Sequence, residues 1–208
     1  MPDNAANANA TVALRLAEAF ARHGVALTFG QSLPSAFHLA APHVGIEQKV
    51  YRQENAGGAM ADGYARVSRK VGVVTAQNGP AATLLVPPLA EALKASVPVL
   101  ALVQEVTRDA FDRNAFQELD HLRMFEPVAK WVRRLDRADR LDDYVDMAFA
   151  AAVAAFGQKL KGDERIGRFG WAEMRTLAGT QNNYWRQEFV KLVDLAAARD
   201  PGAAPAGR

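Results

Sequence analysis

Cysteine is absent from the 208 residues, which excludes disulfides, thiolate metal sites and cysteine nucleophiles at once. Histidine is scarce as well. Four scattered residues leave a histidine-based zinc site little to draw on, and no metal ligand is assigned. Long apolar runs are missing too: the longest, such as Val97–Val103, fall far short of the roughly 20 residues that a membrane-spanning helix needs. No basic-then-apolar signal segment opens the chain. These absences predict a cytoplasmic protein that does not enter a membrane. Nor does one sign of charge dominate, the formal net charge being +2. Residues 158–208 carry nine Lys/Arg against six Asp/Glu, so the excess sits in the tail. Arg133, Arg134, Arg137 and Arg140 alternate with Asp136 and Asp139, as on a solvated face rather than a nucleic-acid-binding stripe.

Half the residues are hydrophobic and 23% are charged, the balance of a folded globular protein. The length suits one to two domains. After a small, polar arm over residues 1–10, read as disordered, helical spacing begins at Thr11 and closes at His23-Gly24. Val25–Phe29, Ile46–Tyr51, Val71–Thr75 and Val97–Val103 read as buried strands, and Lys130–Arg134 as a further short one. Between them, Ser35–Ala41, Gln53–Ser68 and Ala81–Ala95 read as helices, the last bent or delayed by Pro87-Pro88, and Leu141–Phe156 reads as an alanine-rich helix. Strands apolar on both faces that alternate with helices predict an α/β fold with a parallel sheet flanked by helices. Ligands of such folds sit beyond the carboxyl ends of the strands. That directs attention to the loops Gly30–Pro34, Tyr51–Glu54, Ala76–Pro80 and Gln104–Gln117.

Glu54 stands out because it directly follows a predicted strand and opens a helix at that edge. A carboxylate there can serve as a proton carrier, but position alone favours the plainer reading, a charge complementing the helix dipole, worth about 0.3–1 kcal/mol. Gly57, Gly58 and Gly63 in the same helix each cost about 1 kcal/mol relative to alanine, which implies close approach of another group. Asn78-Gly79-Pro80 reads as a tight strand-to-helix turn, and Phe116-Gln117 as the start of a helix. His43 and His121 read as surface or packing residues.

Residues 51–66, Tyr-Arg-Gln-Glu-Asn-Ala-Gly-Gly-Ala-Met-Ala-Asp-Gly-Tyr-Ala-Arg, followed by Val73-Val74-Thr75-Ala76-Gln77-Asn78-Gly79-Pro80-Ala81-Ala82-Thr83, resemble the pyrimidine-binding domain of thiamine-diphosphate-dependent enzymes, in particular acetolactate synthase large-subunit-like proteins. The resemblance runs over about residues 11–152 and includes Phe29-Gly30, Asp112–Glu118 and Lys130-Trp131. It implies thiamine diphosphate as cofactor, with Glu54 as the catalytic glutamate that hydrogen-bonds N1′ of the aminopyrimidine. It also implies Gly30, Gly79 and Pro80 as cofactor-binding residues, and Phe116 and Gln117 on the substrate side. Ala81 departs from the glycine that usually follows the Gly-Pro pair.

The resemblance also implies what is missing. Members of the family hold Mg²⁺ and the diphosphate through a second domain with a Gly-Asp-Gly motif. Gly162-Asp163-Glu164 and Asn182-Asn183 reproduce neither its glycines nor its spacing. Mg²⁺ would therefore come only through a partner's diphosphate-binding domain, and a flavin requirement is left open. The final strand of the pyrimidine domain is also expected to be lacking. Residues 153–199 are expected to form a helical tail in which Phe189, Leu192, Val193 and Ala196 share a face, and residues 200–208 to be disordered. Residues 151–197 weakly resemble the C-terminal tail of bacterial von Willebrand factor A domain proteins. The expectation is the pyrimidine-binding half of a 2-oxo acid decarboxylase/carboligase, working as a homodimer or with a diphosphate-binding chain. The alternative is a non-catalytic remnant acting as an interaction scaffold.

Overall fold

The computed structural model describes residues 11–149, 171, 175 and 184–199. The expected arms at 1–10 and 200–208, the continuation of the Leu141 helix to Phe156 and the Gly162 segment lie outside the described residues. The chain divides into two compact units, Met1–Ala148 and Phe149–Arg208.

In the first unit, helix α1 (Val12–Arg22) starts where the Thr11 hydroxyl accepts the Leu14 amide proton at 3.1 Å, a cap favoured because the first-turn amides have no helical partner. Strand β1 (Leu27–Phe29), helix α2 (Ser35–Ala40), strand β2 (Glu47–Lys49), helix α3 (Glu54–Ser68) and strand β3 (Gly72–Ala76) follow. Two short helices, α4 (Pro80–Thr83) and α5 (Val86–Lys94), then lead to strand β4 (Val99–Val103). The predicted Ala81–Ala95 helix is thus two. Pro87 and Pro88 cannot donate to the preceding turn, and a proline ring is tolerated only in a first turn, which is where α5 puts them. Beyond β4 come α6 (His121–Phe125) and α7 (Leu141–Phe149).

The four strands form one sheet in the order β2-β1-β3-β4 with every pair parallel, as the sequence predicts. Lys130–Arg134 adds no strand. Val132 packs on the core and Arg134 turns to a carboxylate of the loop after β4, so the segment is held by side chains rather than by a ladder. β3 is buried at every position. Its period-two alternation sends Val74 and Ala76 into a cluster with Phe29, Ala61, Leu85 and Leu89, while Thr75 meets His38 of α2 on the other face. Helices therefore cover both faces of the sheet, as a parallel sheet requires. Asp142 of α7 takes Arg15 and Arg22 of α1 at 3.4 and 2.6 Å, which ties the end of this unit to its beginning.

The glycines of α3 differ in role. Gly57 lies against the Tyr51 ring and Gly58 against the Pro88 ring, whereas Gly63 has open space where its side chain would be. The close approach predicted for all three holds for two. The tightest helix-strand approach is at Gly72, where a Cβ would stand 2.1 Å from the Ala61 carbonyl oxygen. In the second unit, Asp194 of helix α8 (Tyr184–Arg199) pairs with Arg175 at 2.9 Å. Val193 is buried but Leu192 is exposed, so the apolar face predicted for this helix is split. Exposure of Leu192 and Leu195 beside buried Val193 narrows the covered stripe to less than the predicted i, i+3, i+4, i+7 set.

Gly72→Ala should destabilise the chain by about 1–3 kcal/mol, because backbone must move to admit the methyl group. Gly63→Ala should stabilise it by about 0.5–1 kcal/mol through helix propensity alone. Urea midpoints of the two variants test the contrast. Equal midpoints would contradict this packing of α3 on β3.

Candidate functional site at the carboxyl edge of the sheet

The strand order reverses between β1 and β3: the chain leaves β1 for β2 on one side, then crosses to β3 on the other. Parallel strands put all their following loops at one edge, and the reversal opens a crevice there. Gly30 ends β1 at that crevice. A Cβ on it would stand 2.2 Å from the Thr75 hydroxyl and 2.6 Å from the His38 ring, so only glycine lets β1 and β3 close on this pair. His38 Nε2 and Thr75 Oγ1 are 2.9 Å apart. Burial lowers the His38 pKa below its ordinary value, favouring the neutral ring.

The loop after β2 delivers Tyr51 and Glu54. Gln31 Nε2 donates to the carbonyls of Tyr51 and Arg52 at 3.4 and 3.1 Å, which binds the first loop to the second. The Tyr51 ring is 4% exposed and lies under Gly57, and its hydroxyl donates to the Thr75 carbonyl at 2.6 Å. Burial, and then the charge of Glu54, pushes the phenol up to about 12. Glu54 is the first residue of α3 and is half-buried. Its carboxylate has no hydrogen-bond partner among the described residues, although the Gln53 side chain before it makes no cap either.

The loop after β3 is bound to the loop after β4. Gln77 Nε2 donates to Gln117 Oε1 at 2.6 Å, Asn78 Nδ2 donates to the Gln117 carbonyl at 3.1 Å, and the Gly79 amide donates to His121 Nε2 at 3.0 Å. Gly79 has φ +65°, and a Cβ there would meet the Gln117 carbonyl at 2.6 Å, so both conformation and space require glycine. Pro80 opens α4 directly after it. The two loops enclose a shallow groove of about 550 Å³ lined by Gly79, Pro80, Thr83, Gln117, Glu118 and Leu119. Phe116-Gln117 does not start a helix. Gln117 has φ +61°, Phe116 is 84% exposed, and the helix begins only at His121. Glu118 shapes the stretch before it by accepting the amides of Asp112 and Ala115 at 2.7 and 2.9 Å. These bonds, the Ala115 amide first, hold its carboxyl below the usual carboxylate range.

His121 is the residue that sequence reasoning missed. It is buried and hydrogen-bonded at both ring nitrogens, with Glu105 Oε1 3.1 Å from Nδ1 and Arg134 in turn on Glu105 at 2.7 and 3.2 Å. The only available signal was its position four residues beyond Gln117, because no periodicity distinguishes a polar core residue from a packing one.

A family model described as "Thiamine pyrophosphate enzyme, N-terminal TPP binding domain" matches residues 9–124. The chain belongs to this family. Relatives of this thiamine pyrophosphate domain include the acetolactate synthase large subunit of Parasynechococcus marenigrum, 40% identical over 72% of this chain and 25% of its own length. The acetolactate synthase of Mycobacterium bovis is 36% identical over 75% of this chain and 27% of its own. The sulfoacetaldehyde acetyltransferase of Rhodobacter capsulatus is 27% identical over 84% and 26%. The chain thus spans about a quarter of the length of the curated relatives it matches. The fold is shared with the Rhodococcus jostii RHA1 thiamine diphosphate-dependent 4-hydroxybenzoylformate decarboxylase at a TM-score of 0.62 and 20% identity, over 68% of this chain and 28% of that one. A second model, "Uncharacterized protein YfbK, C-terminal", matches residues 118–198. It overlaps the thiamine pyrophosphate domain's match at α6.

Stability should fall as pH rises from about 10 to about 12, because an unfolded Tyr51 ionises near its ordinary value of 10 while the folded one holds its proton to about 12. The contribution is fully present below the unfolded value. In Tyr51→Phe this segment of the pH dependence should vanish, at a cost near 1 kcal/mol from the lost bond to the Thr75 carbonyl. Thermal midpoints of the two chains across that range check it, and parallel curves would contradict it.

Proposed function

We propose that the chain is the pyrimidine-binding half of a thiamine-diphosphate-dependent 2-oxo acid decarboxylase or carboligase of the acetolactate synthase type. A diphosphate-binding domain completes it and brings Mg²⁺, carried by a partner chain, with association as a homodimer as the other arrangement. The observation that supports this most directly is Glu54: a half-buried carboxylate that opens α3 at the carboxyl edge of a parallel sheet without a hydrogen-bond partner among the described residues. A carboxylate in that situation fits the N1′ nitrogen of an aminopyrimidine, which needs one acid-base partner. The donor set of the groove also suits this end of the cofactor. Its wall of Gly79, Pro80 and Leu119 presents apolar surface, and Gln117 adds a polar side chain.

Thiamine diphosphate, when bound, supplies the carbon nucleophile and the electron sink for breaking and making bonds next to a carbonyl. The protein's share is narrower. Glu54 holds a proton at N1′, Gly30 keeps β1 and β3 close enough to shape the crevice, and Gly79-Pro80 forms the surface against the ring. Gln117 lines the groove, and the same reading assigns it and the neighbouring exposed Phe116 to the substrate side.

The match of residues 118–198 to a second family supports another reading, a pyrimidine-domain scaffold fused to an interaction tail. Calorimetry separates the two. Thiamine diphosphate with Mg²⁺ is titrated into the full chain alone and beside a diphosphate-binding partner. Binding that depends on the partner is expected for the enzyme half, and no binding in either arm selects the scaffold. In a competent assembly Glu54→Gln should slow exchange of the cofactor's C2 proton by about 100-fold or more, the scale of a lost general acid-base group. Unchanged exchange would reject the role of Glu54.

A further inference from the structure

The Gly79–Pro80 turn is fixed from outside its own loop, and the group that fixes it determines its own protonation state. The Gly79 amide is a donor, so His121 Nε2, 3.0 Å away, has to be the unprotonated, accepting nitrogen. The ring proton then lies on Nδ1, where Glu105 Oε1 waits at 3.1 Å. Glu105 is gripped by Arg134 through both carboxylate oxygens, at 2.7 Å to Oε2 and 3.2 Å to Oε1. Arg134 in turn lies over the Phe111 ring at 4.4 Å. Three segments converge here: the turn after β3, the loop after β4 and the stretch beyond α6. The preceding residue, Asp120, is engaged separately, its carboxylate accepting the Arg123 amide at 3.1 Å as the cap of α6.

We propose that His121 is the positioning residue of the cofactor turn: as the Nδ1-protonated tautomer set by the Glu105–Arg134 pair, it accepts the Gly79 amide proton and holds the Gly79–Pro80 surface in register with the groove. This rests on the reading of that turn as a cofactor contact. His121 touches no reacting atom in the scheme. Its effect passes through Gly79, whose φ of +65° leaves the backbone free to relax once the acceptor is lost. Protonation of Nε2 and the Gly79 bond exclude one another, because two donors would then face each other. Loss of the bond leaves a buried amide unsatisfied.

Nuclear magnetic resonance on the ¹⁵N-labelled full chain tests the assignment. Long-range correlations should show His121 as the Nδ1–H tautomer near neutral pH, with the Gly79 amide protected from exchange. His121→Gln, which keeps an acceptor at the end of the side chain, should retain Gly79 protection and bind thiamine diphosphate with Mg²⁺ within about threefold of wild type beside a diphosphate-binding partner. His121→Leu should lose the protection and bind about tenfold more weakly, the scale of one buried hydrogen bond. An Nε2–H tautomer, or a Gly79 amide that exchanges freely in the wild type, overturns the proposal. So does unchanged affinity in His121→Leu. Should His121→Leu fail to fold, the wild-type tautomer and the Gln variant decide by themselves. A wild-type assembly that binds no thiamine diphosphate overturns the proposed function, a failure visible apart from the Gly79–His121 coupling.

Discussion

The carboxyl end of β3 is where the construction of the site is concentrated. With no exposed residue in the strand, each of its last polar groups must be satisfied by the protein, and each partner turns out to be a site element. The Thr75 carbonyl receives Tyr51, the Thr75 hydroxyl meets His38, and the Ala76 carbonyl receives the Gln104 amide at 2.9 Å. Gln77, Asn78 and Gly79 then reach in succession to Gln117 and His121. Burial of one strand thereby sets the positions of loops from all four.

Close contact between helix and strand makes this possible. α3 sits tightly enough on the sheet that Gly72 meets the Ala61 carbonyl with no room for a side chain. Tyr51 fills the next gap, its ring against Gly57 and its hydroxyl on β3. Glu54 follows three residues later with its position determined by the same wedge, since the end of β2 and the start of α3 are both tied down between them. Gln31 adds the lateral tie from β1. The acid-base candidate is thus mounted on a rigid edge rather than on a free loop, the arrangement that proton transfer over hydrogen-bond distance requires.

Much of this was legible in the residues themselves. Valine-rich strands alternating with helices gave away the parallel sheet, Thr11 and Gly24 bracketed α1, and the run Tyr51–Arg66 carried the family. What could not be read followed from tertiary choices. Lys130–Arg134 has the composition of a strand, but Arg134 is drawn to Glu105 and no ladder forms. Phe116-Gln117 looks like a helix start, yet Gln117 takes a positive φ to place its carbonyl under Asn78. His121 escaped for a similar reason. A histidine's partners lie on other segments, at residues 79 and 105, and their convergence is a property of the folded edge rather than of local pattern. In α8, Val193 and Leu192 are neighbours with opposite exposure, a distinction that spacing alone does not make.

Gln117 is fastened by backbone and side chain alike, its carbonyl to Asn78 and its amide group to Gln77. Phe116, immediately before it, projects into solvent. An anchored residue lining the groove and an exposed one therefore lie side by side in the chain. Replacement at residue 116 alters the size and polarity of an exposed side chain while the peptide carrying it stays in place. Packing constraint and surface freedom are separated by a single residue along the chain, so position 116 can change without the scaffold being rebuilt.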